Sequence, residues 1–471
     1  GEAAFLRGFK SIYLGLFMNV LIIGWVNLAL MTLLKVFFGI PDEQLLWYAF
    51  AGMLITAFYS SLSGIWGVAV TDVFQFTIAM IGTIILAFIV VGSDQVGGMT
   101  GLKAQLPEWS MSFFPNIGAS ASAGDVATTL TISAGAFLAF IGIQWWASWY
   151  PGAEPGGGGY VVQRMLSTRS EKDAIFATLF FQIAHYCIRP WPWILVGLAS
   201  LILYPELGPD EKRLGYVMAM KDFLPVGLRG LLLVAFFAAY MSTISTQLNW
   251  GASYIVNDFY HRFIDKSAEQ KQLVTVSRIT TFLLMIIALF ATSQMKTISG
   301  VWEFIIECGA GLGLVLILRW YWWRINAWSE ITAMIAPFFA YTFAKFVLDP
   351  ALVFPYSYFL TVGFTTLVWI FVTYLTKPTS ADKLQDFYNR VKPDGWWRPV
   401  EGLMGREKLP TKIPYLAICW ISAVTMTYSI LFFTGKVIFM EWLDAALWLV
   451  VASVSFLILR KYISRTRVFS N

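Results

Sequence analysis

Polar side chains lodged in long apolar runs are where this sequence could do chemistry, because each is expensive to hold in hydrocarbon. One such run reads Ala239-Tyr240-Met241-Ser242-Thr243-Ile244-Ser245-Thr246, within an apolar stretch near 226–257. Ser242, Ser245 and Thr246 stand at i, i+3 and i+4, so one helical face carries their hydroxyls, and Ala239 joins it at i−3. Hydroxyl and carbonyl oxygens are hard, neutral donors that suit a small monovalent cation. The same groups also bond back onto carbonyls or glue helices together. Asp72, at the start of another apolar run, is a candidate ion ligand or a first-turn helix charge.

A second group could meet a solute. Trp145 to Tyr160 places an aromatic cluster with Ser148, Trp149 and Tyr150 ahead of two prolines and five glycines. Those residues cannot continue a helix. Broken helices at membrane depth line cavities or are buried in protein, and transporters aim the freed backbone at substrate or ion. The aromatics could stack on a sugar ring, act as a gate, or belong to an interfacial belt. Gln182, His185 and Arg189 follow at spacings of three and four, which would put them on one helical face. Arg189 needs an acidic partner, a phosphate or a cavity, and Glu154 and Glu307 are the candidate partners. Glu303 and Glu307 lie one turn apart beside Gly309, Gly311 and Gly313, where Glu307 could line a cavity.

The elements that must position these groups are membrane spans. Apolar residues make up 58% of the 471-residue chain and charged residues 13%, against roughly 25% charged in soluble domains. About a dozen runs reach the 18 or more apolar residues that cross a bilayer. They lie near 11–37, 44–63, 65–92, 130–166, 173–203, 226–257, 274–294, 300–320, 330–348, 356–376, 413–434 and 438–460. Phe5 to Lys10 reads as a loop leading into the first. Alternating loops hold 23 of the 33 Lys and Arg on one side and nine on the other, with Arg189 inside a span. Basic loops mark the cytoplasmic side, so both ends of this chain are expected in the cytoplasm of a multi-pass cell (inner) membrane protein. Net charge +5 thus reflects topology, and no basic strip with stacking aromatics argues for nucleic acid. Cys187, Cys308 and Cys419 lie far apart in apolar spans, without disulfide or metal-ligand spacing. No signal peptide is expected ahead of the first span.

Several segments in order resemble the sodium/solute symporters, the family of sodium/sugar, proline, iodide and sialic acid carriers. Phe58 to Gly64 followed by Val70-Thr71-Asp72-Val73-Phe74-Gln75 is similar to the family's Tyr-x-x-x-Gly-Gly…Thr-Asp-x-x-Gln stretch. Gln163-Arg164-Met165-Leu166-Ser167 resembles its Gln-Arg motif closing the sixth core helix. Leu224 to Leu231 with Ala238 to Thr243 resembles its eighth, and Asn257-Asp258-Phe259-Tyr260 the end of that helix. The resemblance covers about 5–325 and implies an all-α, inverted-repeat transporter fold. Residues 1–325 would be the third to tenth core helices, the chain starting in mid-protein. Residues 326–471 would be additional helices with a cytoplasmic loop near 377–412.

The resemblance also implies site roles. Sodium would sit between the broken first core helix and the eighth, with Ala239 (carbonyl), Ser242 and Thr243 supplying the eighth-helix half. Asp72, Ser242, Ser245 and Thr246 match a second sodium site of some members. Ser148 to Tyr150 fall where the sugar carriers have an aromatic gate and substrate-binding groups, but the 151–159 insert is longer than theirs. The expected function is sodium-coupled symport of a small polar solute by alternating access, with Na+ as coupling ion and a sugar as first candidate. A carboxylate, inositol or amino acid is the alternative solute. No obligate protein partner is inferred beyond solute and bilayer. From other classes, a membrane transferase using His185 with Glu154 and a channel or sensor remain open.

Overall fold

The computed structural model describes residues 2–60, 65–114, 117–118, 132–148, 165, 167–208, 211–348, 352–405 and 411–466. The chain is an all-α bundle, as its apolar runs require, since a helix satisfies every backbone group within its own segment. Among the described residues ten helices are long and apolar enough to cross a membrane. The span expected near 44–63 is the helix Asp42–Ser60, and that near 130–166 is represented by Ala134–Ala147.

The helices are α1 (Glu2–Phe38), α2 (Asp42–Ser60), α3 (Ile65–Val91), α4 (Gly98–Gln105), α5 (Ala134–Ala147) and α6 (Glu171–Leu203). Next come α7 (Gly215–Phe223), α8 (Val226–Ile264), α9 (Gln270–Gln294), α10 (Ile298–Cys308) and α11 (Leu312–Tyr321). The last six are α12 (Ala327–Val347), α13 (Tyr356–Leu375), α14 (Ala381–Val391), α15 (Arg398–Leu403), α16 (Ile413–Ile438) and α17 (Trp442–Ile463). Side-chain caps set several starts. Ser170 accepts from Asp173 N, Thr297 from Gly300 N, and Asn326 from Trp328 N and Ser329 N.

Phe5 to Lys10, expected as a loop, is the first part of continuous α1. Its polar residues find partners that a short apolar count does not reveal. Arg7 lies 3.8 Å from Asp258, Lys10 pairs with buried Glu330 at 2.5 Å, and Gly8 lets the Phe263 ring approach.

α8 is the central element. It packs against α1, α2, α3 and α9, and it runs on to Ile264 through a π-helical end, beyond the expected limit near 257. Gly251 sits where a Cβ would collide with Asn19 and the Gly15 carbonyl, the small-residue contact that lets membrane helices approach closely. α3 runs antiparallel to α8. Leu232 fills the space beside Gly82, and Val90 and Leu224 share one buried cluster. The outer faces of the bundle carry large apolar side chains such as Phe88, Phe290 and Leu443 at 68–77% exposure, the surface that lipid covers.

Candidate functional site

The hydroxyls of α8 divide by face. Ala239, Ser242, Thr243 and Thr246 recur at i, i+3, i+4 and i+7, and Ala239 is exposed while Ser242 and Thr243 are half-buried. Thr243 Oγ1 donates to the Ala239 carbonyl at 3.0 Å, and buried Ser245 Oγ to the Ser242 carbonyl at 3.0 Å. Bonding back by four residues is the ordinary way a helix shelters Ser and Thr. It also holds two oxygens about as far apart as neighbours that share one hard cation at about 2.4 Å. Thr246 Oγ1 is buried with no hydrogen-bond partner among the described residues.

From the Gly82–Leu232 contact, ten residues back along α3 and ten forward along α8 both span about 15 Å. The Asp72 backbone in α3 is therefore level with Ser242. The Asp72 side chain lies outside the described residues.

The adjoining face of α8 is cross-linked. Tyr240 OH donates to Asn27 Oδ1 at 2.8 Å, and Asn27 Nδ2 donates to Thr292 Oγ1 at 3.0 Å. Asn19 Nδ2 reaches the Gln247 carbonyl at 2.8 Å. α1, α8 and α9 are thus joined by buried polar bonds that the sequence reading missed. Asn19 and Asn27, two amides in an apolar run, were the available signal.

The proposed solute residues do not form one group. Ser148 closes α5 and is buried. Its Oγ donates to the Ile306 carbonyl at 2.8 Å and lies 2.8 Å from Tyr358 OH. Beside it, Gly311 separates α10 from α11 at φ +99°, where a Cβ would strike Thr365, and its N–H donates to the Ala147 carbonyl at 3.0 Å. Glu307, fully buried, accepts from Ser357 Oγ at 2.7 Å and lies 3.8 Å from Lys345 Nζ, which also faces Glu303 at 3.8 Å. Ser357, Tyr358 and Lys345 were not anticipated.

Glu307 is accordingly not the partner of Arg189. The Arg189 guanidinium instead stacks over Trp193 at 4.8 Å, with its Nε buried and lacking an acceptor among the described residues. Nor does the α-helical spacing that would align Gln182, His185 and Arg189 hold. Ile183–Ile188 is a π-helical segment, whose wider i→i+5 turn shifts the faces. That segment packs against α16. The His185 ring stacks on Phe181 at 4.8 Å and meets Tyr186 edge-on at 4.6 Å. Trp149, Tyr150 and Glu154 lie outside the described residues, as does the acid half of the His185–Glu154 pair an enzyme would need.

Residues 12–336 match the model of the sodium:solute symporter family. The sodium/glucose cotransporter of Vibrio parahaemolyticus is 25% identical over 353 residues, 70% of this chain and 61% of that protein. The high-affinity proline transporter PutP of Bacillus subtilis is 32% identical over 151 residues, 30% of this chain and 31% of that one. The sodium/myo-inositol cotransporter 2 of Mus musculus is 26% identical over 62% of this chain and 46% of its own. The chain therefore spans less than two thirds of the length of these relatives. In fold, it is similar to a substrate-bound, outward-open Na+-coupled sialic acid symporter. The TM-score is 0.57 and the identity 22%, over 80% of this chain and 76% of that one.

Proposed function

The chain belongs to the sodium:solute symporter family, and on that footing we propose that the protein carrying it couples sodium entry to uptake of a small polar solute, a sugar first. The oxygen face of α8 carries the proposal. Ala239 (carbonyl), Ser242 and Thr243 form one part of a sodium shell, and Asp72, Ser242, Ser245 and Thr246 form a second. Thr246 Oγ1, buried without a partner among the described residues, supports this reading, because a buried hydroxyl left unpaired costs about 1–3 kcal/mol. Sodium bound here holds α8 against its neighbours and favours the state that takes up solute. Solute then favours sodium by the same factor, since coupling between two bound ligands is reciprocal.

Ser148 at the end of α5 is the proposed solute contact, together with Trp149 and Tyr150, which follow it in the sequence, and Glu307. A carboxylate-bearing solute is the second reading, favoured by the Arg189 Nε that lacks an acceptor among the described residues, with Gln182 and His185 as further candidate contacts. The relatives that carry glucose, proline and myo-inositol set the panel to test. Both chain ends are assigned to the cytoplasm on their basic loops.

The test is uptake of labelled sugars, inositol, proline and sialic acid into liposomes holding the protein, with and without an inward sodium gradient. Accumulation of one of them only under the gradient supports symport and names the solute. Uptake indifferent to sodium across the whole panel would remove the sodium assignment and leave a channel or an enzyme ahead.

A further inference from the structure

At the end of the bundle where α11 and α13 terminate and α12 begins, a cleft of about 680 Å³ opens between α1, α11 and the α14–α15 hairpin. Three cations line it: Arg319, Lys377 and Lys383. Arg319 is committed in part, sharing the buried Glu330 carboxylate with Lys10 at 3.2 and 2.5 Å. Lys377 and Lys383 are exposed, and neither has a carboxylate partner among the described residues. Glu2 and Glu330 are the lining carboxylates, Glu330 already held by Lys10 and Arg319, and Asp382 lies in the first turn of α14.

Between the two lysines lies the start of α14. Its N-cap, Ser380, makes no side-chain capping bond, so the first N–H groups of the helix add donors on the side where anions are favoured. The inner wall is aromatic and rigid. Phe387 stacks on Trp397 at 5.4 Å and lies 5.8 Å from Trp320, and Trp397 Nε1 donates to the Trp320 carbonyl at 3.0 Å.

The outer side of the cleft adjoins lipid. Leu367, Phe371 and Leu375 stand at i, i+4 and i+8 on α13 and are 71, 64 and 68% exposed. This apolar strip ends two residues before Lys377. An acyl chain lying along it would deliver its headgroup to Lys377 and Lys383.

We propose that this cleft seats the phosphodiester headgroup of an anionic membrane lipid, with its acyl chain along the exposed strip of α13. A free phosphate would satisfy the same donors, but it has no use for the strip. Basic pockets at the ends of membrane helices bind such headgroups through charge that falls off within a Debye length. The inference needs the bundle in a bilayer and nothing about sodium or solute, so its fate is independent of the transport proposal.

The test is lipid retention. The protein is reconstituted in nanodiscs of phosphatidylglycerol and phosphatidylcholine in equal parts, extracted gently, and its bound lipid counted by native mass spectrometry. Phosphatidylglycerol should be enriched on the unaltered protein. Its affinity should fall roughly ten- to thirty-fold in Lys377→Gln/Lys383→Gln, at about tenfold or less per lysine near a lipid surface. Lys266→Gln/Lys271→Gln, an equal charge change in the α8–α9 loop and the first turn of α9, should leave the enrichment intact. The proposal is overturned by equal retention of the two lipids, or by a Lys377/Lys383 variant that holds phosphatidylglycerol as well as the parent. Displacement of the lipid by millimolar inorganic phosphate would overturn it in favour of a soluble anion.

Discussion

On one side of α8, Tyr240 and the Gln247 carbonyl are bonded across to Asn27 and Asn19 of α1. On the side that carries Ala239, Ser242, Thr243 and Thr246, the bonds made by Thr243 and Ser245 turn back onto α8 itself, and Thr246 Oγ1 makes none among the described residues. Both sides are polar patches in an apolar helix and both bear the cost of that placement. The cross-linked side recovers it as inter-helix adhesion. Back-bonded hydroxyls recover it within α8 without bonding to another helix, and their oxygens keep lone pairs for a ligand. The two sides should therefore fail differently when cut.

The largest effect is expected on the cross-linked side. Asn27→Ala removes the acceptor of Tyr240 OH and the donor to Thr292 in one step. It should cost about 1–2 kcal/mol, given that single inter-helix bonds in membranes average about 0.6 kcal/mol and two are cut, leaving Tyr240 OH the longer 3.4 Å contact to the Ala49 carbonyl. A lowered Tm in detergent with unchanged sodium dependence of the surviving protein is the expected pattern. Altered sodium dependence at unchanged Tm would erase the contrast between the faces.

Ser242→Ala and Thr243→Ala should do the reverse. The sodium needed for half-maximal uptake should rise roughly tenfold, about 1.4 kcal/mol, while Tm moves by less than about 0.5 kcal/mol equivalent. Unchanged sodium dependence in both would remove the ligand assignment. Thr246→Val sharpens the point, since it deletes an oxygen with no hydrogen-bond partner among the described residues. Sodium dependence should rise by a few-fold with Tm level or slightly higher, and a clear loss of Tm would mean the hydroxyl holds the packing instead.

The smallest effect lies off α8, at the turn between α16 and α17. Burial pushes the Glu441 carboxyl up, but the hydrogen bonds and charges of Lys436 and Lys103 more than offset that and hold it below the usual carboxylate range. A depressed carboxyl stabilises the fold above its unfolded pKa of about 4.3 and loses that contribution as pH falls through its lower folded value. Glu441→Gln should thus lower Tm slightly at pH 7 and match the parent at strongly acid pH. Equal Tm at both would show the turn does not depend on this charge.

The class, the spans and the hydroxyl face of α8 were legible because each rests on local order, either a long apolar run or a three-four spacing in a regular helix. What escaped depends on which helices meet. Glu307 was sequence-compatible with Arg189, yet Ser357 and Lys345 from later helices reach it first. Gln182, His185 and Arg189 obey the spacing rule, but a π-helical segment begins at Ile183 and the rule no longer applies. Glu330 drew no notice in the sequence, although it draws Lys10 of α1 and Arg319 of α11 onto one buried carboxylate.

Gly395 takes φ +109° with its Cα directly against the Tyr321 carbonyl, where any Cβ would collide. Trp396 N–H then donates to that same carbonyl at 2.6 Å, and Trp397 Nε1 to the Trp320 carbonyl. The α14–α15 hairpin is thereby riveted to the tip of α11 and must travel with it as a pointer travels with its shaft. A fluorophore at exposed Asn389 would read the tilt of a buried helix from outside the bilayer, without a label anywhere near the ion or the solute.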